Sequence, residues 1–418
     1  MLLVNDIIAQ YEKVKGWENW PQLPTGGKSL EISEEYFRKG YRQQILEEIR
    51  LLEIKQLIYM EKKDWVEYGW DPIRVRYRME NVAGFYALAD RVPKWQRLEE
   101  QCARAEQVRS QIQTPWILRW WEEKTVGIFK GRTLAEDEVP ARELLYQCMI
   151  GLDHLEQEAD EPMLIRVFSR RFLGNSKTFE KKCKAMVLHG ARAQHPDVPE
   201  DKDAMDDVDV LEQLHLEMYS QELTLKGSLR LCLFDPDGTE RILDTADYPY
   251  GLVLNQQTLS HVSICENQSI GRVLLIENKA NFMAEPYEPG KLVIFTHGYI
   301  TPMERKFLIG LREVLDRQQA ISEHLQENAT PVIYQHCGDL DFGGICIYRY
   351  LREKVFPYLT PYRMDIATYE TCMAAGMAEA ITEEMAEKLQ KLAEDPQLGQ
   401  LAARLAADRR VVEQEAYL

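Results

Sequence analysis

The chain has 418 residues, 45% hydrophobic and 10% aromatic, which is too long for one ordinary domain and rich enough to bury substantial cores. A net charge of −17 argues against a surface built throughout for phosphate, and no uncharged apolar run reaches the roughly 18 residues of a membrane span. The opening "LLVNDIIAQYEKVKGW" lacks a basic lead and a small-residue cleavage site, so a cytoplasmic location without membrane association is expected.

Residues 1–110 read as a largely helical arm. "SEEYFRKGYRQQILEEIRLLEIKQ" opens at Ser33, a candidate N-cap followed by Glu34 and Glu35. "LIYMEKKDWVEYGWDPIRVRYRM" then places two β-prone runs around "EYGWDP", a hairpin signal, and helices followed by a hairpin suggest a winged-helix-like unit. Arg74, Arg76 and Arg78 alternate along the second run, as a DNA-facing row or as a solvated strand face.

Residues 111–195 combine "TPWILRWWEEKTVGIFKGR", a helix around "EDEVPARELLYQCMIGLDHLEQEAD" and the segment "RVFSRRFLGNSKTFEKKCKAMVLHGAR". A second helix-plus-hairpin, winged-helix domain is expected here. The last segment sets eight basic residues against the single acid Glu180, so an acidic protein carries one concentrated basic face. Arg170, Arg171, Lys177, Lys181, Lys182 and Lys184 are its candidate DNA contacts. Residues 196–261 read as a linker, "PDVPEDKDAMDDVDVLEQ", and a connecting β-hairpin, "SLRLCLFDPDGTERILDT", turning at Asp235-Pro236-Asp237-Gly238.

From 262 to 418 the rhythm changes. The apolar runs "VLLIEN", "KLVIFTHG" and "PVIYQHCGDLD" and the stretch "YRMDIAT" alternate with helical stretches near 302–317 and 343–355, the pattern of a parallel, doubly wound sheet. A helical tail follows. The eight cysteines form no CxxC pair and no zinc-spaced cluster and read as reduced, mostly buried thiols, while His297 and His336 read as structural. The expected fold is α+β multidomain: N-terminal helical and winged-helix domains followed by a C-terminal α/β, Rossmann-like parallel sheet.

Glu277 ends the first of these strands, and Asp339 and Asp341 end a later one. Ligands bind at the carboxyl edge of such sheets, so the three acids can meet there, and clustered carboxylates call for a hard divalent cation. The other reading is a pair of structural turn residues. Gly343 and Gly344 then leave room for a phosphate at the next helix. A haloacid-dehalogenase-type phosphatase also uses Asp-x-Asp, but after its opening strand and with Thr where Gly343 stands; no GxGxxG supports a dinucleotide site.

Glu277 followed by "GDLDFGG" resembles the Toprim fold of topoisomerases, primases and some nucleases. "LLIENKANFM", "VIFTHGYI", "YQHCGDLDFGGICIYRYLREKVFP", "YRMDIATYE" and the terminal "VVEQEAYL" resemble the C-terminal domain of the JetD family, nuclease subunits of Wadjet plasmid-defence systems related to the topoisomerase VI A subunit. "RRFLGNSKTFEKK" is similar to the G-[DN]-S-K segment of that family's central winged-helix region.

The resemblance implies that Glu277, Asp339 and Asp341 bind catalytic Mg²⁺ or Mn²⁺, with Asn278, Gly338 and Gly343 supporting them. Glu413 and Glu415 match a family motif without an assigned role, Asp365 matches another strand-end acid or caps the following segment, and Lys279 is a phosphate contact or an exposed lysine. Topoisomerase VI-type enzymes cut through a winged-helix tyrosine, and "FSRRFLGNSKTFEKK" has none, so hydrolysis fits better than transesterification. The resemblance implies an Mg²⁺-dependent endodeoxyribonuclease acting on closed-circular plasmid DNA as a homodimer, delivered by SMC-like Wadjet subunits. The alternatives are a non-catalytic DNA-binding or scaffolding subunit and a metal-dependent phosphatase or nucleotidyl-transfer enzyme.

Overall fold

The computed structural model describes residues 1–13, 25–66, 71–129, 138–158, 162–220, 222–235, 237–324 and 331–417. It is a mixed α and β structure in two compact units, residues 1–111 with 121–139, and residues 112–120 with 140–418. No helix among the described residues is long and apolar enough to cross a membrane.

In the first unit the helix Leu2–Tyr11 buries Leu3, Val4, Ile7, Ile8 and Tyr11 in a core shared with Ile45, Ile49 and Leu52 of the helix Arg42–Ile54. Ser33 does cap a helix, but only the short Glu34–Arg38, because Gly40 at φ 79° breaks the stretch before the longer helix begins. Strands β1 (Gly27–Glu31), β2 (Ile58–Tyr59) and β3 (Arg74–Arg78) form an antiparallel sheet in the order β1-β3-β2, so the two β-prone runs pair as expected. Residues 67–70 of the "EYGWDP" turn lie outside the described residues. The arginine row is held by acids: Arg76 binds fully buried Asp64 through two nitrogens at 2.8 and 3.0 Å, and Arg74 reaches Glu31 at 3.0 Å.

In the second unit, residues 140–195 are helical rather than helix-plus-hairpin among the described residues. Ile165 and Phe168 recur at helical spacing and are buried, and the two-residue β4 (Met163–Leu164) pairs in parallel with β5 (Leu216–Glu217) instead of folding back locally. The main sheet uses β6 (Glu222–Gly227), β9 (Leu252–Asn255), β11 (Arg272–Ile276), β12 (Lys291–Phe295), β13 (Ile333–Cys337) and β14 (Thr360–Pro361), in the order β14-β13-β11-β12-β6-β9.

The strands from β14 to β12 are parallel, and β6 and β9 add antiparallel edges. The stretch 196–261 is therefore more than a connection, because alternate Leu223 and Leu225 of β6 are buried against the sheet. Strands β7 (Arg230–Phe234) and β8 (Glu240–Asp244) form the expected hairpin, closed by Gly238 N–H donating to Asp235 O at 2.8 Å, and β10 (Val262–Ile264) joins them. Pro236 lies outside the described residues. Of the "YRMDIAT" stretch, no residue pairs as a strand; Thr360 and Pro361 just before it do, and Asp365 opens the helix Ile366–Ala374. Near the C-terminus, β15 (Glu379–Ala380) and β16 (Arg410–Val411) pair antiparallel.

Candidate metal centre

Strands β11 and β13 are neighbours in register, Ile276 opposite Cys337, and Glu277 N–H donates to Cys337 O at 3.0 Å. That pairing carries Glu277 and Asp339 to one sheet edge, although β12 and the helix Pro302–His324 separate them in sequence. Glu277 Oε2 is buried and has no hydrogen-bond partner. Burial, then the charges of Asp339 and Asp341, push the Glu277 carboxyl well above the usual carboxylate range.

Gly338 makes room for this arrangement. A Cβ there would run into Glu277 Oε2 and come within 2.8 Å of His336 Nε2. Asp339 Oδ1 accepts the Gln414 amide at 2.7 Å, and burial pushes its carboxyl up to about 7 despite that bond, with Asp341, Glu413 and Glu415 adding repulsion.

Asp341 is the N-cap of the helix Phe342–Lys354, where its Oδ1 accepts from Gly344 N at 2.7 Å, and burial raises its carboxyl too. This bond gives the Gly344 N–H of the Gly343-Gly344 pair a partner within the chain. The Gly344 N–H is already taken by Asp341, and a Cβ on Gly344 would run into the backbone carbonyl of Asp339. Gly344 is needed for close backbone approach.

The C-terminal segment completes the site. Val412 and Leu340 exchange backbone hydrogen bonds of 2.8 and 3.1 Å, and Tyr417 donates its hydroxyl to Gly338 O. Asn278 caps the helix Lys279–Ala284 through Oδ1, and its Nδ2 donates to Glu415 Oε1 at 2.6 Å. Gln414, fully buried, accepts the Asn278 amide at 2.7 Å and takes the Asn281 side chain on its carbonyl at 2.9 Å. In consequence one oxygen each of Asp339, Glu413 and Glu415 lie within 4.8 Å of one another. Burial and the charges of Asp341 and Glu415 raise the Glu413 carboxyl.

Five carboxylates thus gather at one edge, and among the described residues none of the five forms an ion pair with a lysine or arginine. An oxygen-only donor set of clustered carboxylates without a cation built into the chain fits a hard divalent cation. Asp365 is not drawn in: it is exposed and caps its own helix by accepting from Thr368 N at 2.8 Å. Lys279 is exposed, with its ammonium 5.9 Å from the Phe295 ring centroid. His297 bonds both oxygens of Glu304 at 3.2 Å, in keeping with a structural residue.

Two contributors escaped the sequence reading. Gln414 stood inside the quoted "VVEQEAYL" between the two named glutamates, and nothing in its type marks it as the residue that ties Asn278 to Asp339. Asp209 lies on the helix Asp207–Gln213; burial, then Asp206 and Glu212, push it up to about 7, and its charge reaches Glu277. No local pattern signals that approach.

Arg170, Arg171, Lys177, Lys181 and Lys182 are exposed along the helix Ile165–Leu173 and the turn after it, with Lys184 half-buried at the start of the next helix. Among the described residues none of the six is in an ion pair, whereas Arg192 is buried and bonds Asp207 at 3.0 Å. The basic face is accordingly smaller than the residue count suggested.

Residues 238–417 match the family described as Wadjet protein JetD, C-terminal. The chain is also 26% identical over 309 residues to the Wadjet protein JetD of Bacillus cereus (strain Q1), a match covering 72% of this chain and 68% of that protein. These matches support assigning the chain to the JetD family. The JetD C-terminal match contains all five clustered carboxylates and Gln414. Residues 87–217 match a second family, described as Protein of unknown function N-terminus (DUF3323), and this range includes the basic face.

Proposed function

We propose that this JetD-family chain is the metal-dependent DNA endonuclease of a Wadjet anti-plasmid defence complex, with a Toprim-type domain spanning residues 262–418. The observation that supports it best is the cluster of carboxylates around Glu277 and Asp339 at the carboxyl edge of adjacent parallel strands, which among the described residues has no lysine or arginine paired to it. Glu277, Asp339 and Asp341 would hold Mg²⁺ or Mn²⁺, with Glu413 and Glu415 beside Asp339. When bound, the cation supplies Lewis-acid stabilisation of the phosphodiester's developing charge and a lowered pKa for attacking water.

The chain's own residues orient the acids. Gln414 N–H fixes one oxygen of Asp339 and Gly344 N–H one oxygen of Asp341, so that each presents its other oxygen. Arg170, Arg171, Lys177, Lys181, Lys182 and Lys184 contact the phosphates of double-stranded DNA, and two copies of the chain cut the two strands. The SMC-like subunits of the complex bring plasmid to a nuclease whose net charge of −17 disfavours unaided DNA binding.

The test is cleavage of supercoiled plasmid with Mg²⁺ or Mn²⁺, with and without the partner subunits, beside Asp339→Ala. Linear product from the wild type alone is expected, without a covalent protein–DNA adduct. Equal behaviour of wild type and variant under every condition would end the nuclease reading.

A further inference from the structure

His336 lies on β13, fully buried, and neither of its ring nitrogens has a hydrogen-bond partner. Native interiors rarely leave buried polar atoms unpaired, and an apolar side chain would fill this place without that penalty. Among the described residues, Glu277 Oε2 and Asn281 Oδ1 are buried oxygens of the centre without a partner. His336 Nε2 and Glu277 Oε2 converge on the space beside the Gly338 Cα that a side chain would otherwise occupy. Nothing stands between them there because residue 338 has no side chain.

Glu277 Oε2 is enclosed by protein, and the carboxylate also takes a backbone hydrogen bond from Asp339. A donor to one oxygen of a carboxylate fixes which oxygen faces a ligand. We propose that His336 is a positioning residue for Glu277: its Nε2–H donates to Glu277 Oε2 when a divalent cation occupies the other oxygen of that carboxylate. This rests on the metal-binding reading above. The neutral imidazole has one N–H and one lone pair, so the proposal assigns the proton to Nε2.

The test uses the full chain and Mn²⁺ alone, with affinity read by electron paramagnetic resonance of the free ion and stability by thermal melting. His336→Leu keeps the apolar volume and removes the donor; His336→Gln keeps an N–H donor. Mn²⁺ affinity of H336L is expected to fall by about 10- to 100-fold, as for other groups that orient a ligand, with H336Q recovering most of it. Metal-free H336L is expected to melt above the wild type, since a purely structural cost is removed.

Unchanged Mn²⁺ affinity in H336L, with wild-type binding intact, overturns the positioning role and leaves the metal centre standing. Should H336L fail to fold, H336Q decides in its place: affinity lowered as far as by Glu277→Gln overturns the donor assignment. A wild-type chain that binds no Mn²⁺ removes the metal reading itself.

Discussion

Asp64 in the first unit and Glu277 in the second are both carboxylates withdrawn from water, yet they are treated oppositely. Asp64 accepts two nitrogens of Arg76 and the Glu61 amide at 2.8 Å, and these bonds, the Arg76 pair foremost, hold it below the usual carboxylate range. Glu277 has no cation and no donor on Oε2, and is pushed upward. A buried acid whose partner is built into the chain holds a fold together. One without a cation built into the chain is where the proposed divalent ion would be held.

The sharpest way to break this contrast is Glu277→Gln. Removing the charge is expected to abolish plasmid cleavage, by about 100-fold or more, while raising the melting temperature of the metal-free chain. A destabilised E277Q protein would place Glu277 with Asp64 as a structural acid.

Asp64→Asn tests the other side. Losing the charge-assisted pair is expected to cost about 2 kcal/mol in urea unfolding, with Mn²⁺ affinity unchanged.

Gly338→Ala should be milder. The added methyl displaces Glu277 Oε2, and a roughly tenfold loss of Mn²⁺ affinity by calorimetry is expected, against no loss if Glu277 is not a ligand.

The smallest effect is a pH trend. Asp339 is raised to about 7 by burial and by Asp341, Glu413 and Glu415, so its folded pKa lies above its unfolded one. The folded state then binds more protons between the two values, and this contribution to stability is present below about 4 and lost as pH rises through about 7. Glu277 and Asp341 are raised in the same direction. Added Mg²⁺ should therefore raise the melting temperature more at pH 8 than at pH 5, and a constant increment across that range would contradict the cluster's role.

Glu277 and the Asp339-x-Asp341 pair were legible because each ends an apolar run, and the end of a parallel strand is the open edge of its sheet. Gly343-Gly344 was legible as a feature, but what Gly344 approaches was not. Whether a glycine faces a ligand or a carbonyl depends on what lies across from it, and here Asp341 and the Asp339 carbonyl take that place. The alternating arginines of β3 left two readings open for the same reason, since Asp64 and Glu31 come from other segments. Ser33 was correctly seen as a cap, but Gly40 at positive φ ended its helix early.

By itself the sequence determined the local terms: apolar strands of five residues alternating with helices, acids at two strand ends, a hairpin at Asp235–Gly238, and a basic segment near 170–184. These follow from periodicity and turn chemistry, which act over a few residues. Only the tertiary structure decided that β11 and β13 are neighbours, that β6 and β9 extend the sheet, and that Glu413, Gln414 and Glu415 close on Asp339. Strand order and the docking of a distant segment are set by burial and hydrogen-bond satisfaction over the whole unit, and an acid's partner, or its lack of one, exists only once those contacts are made.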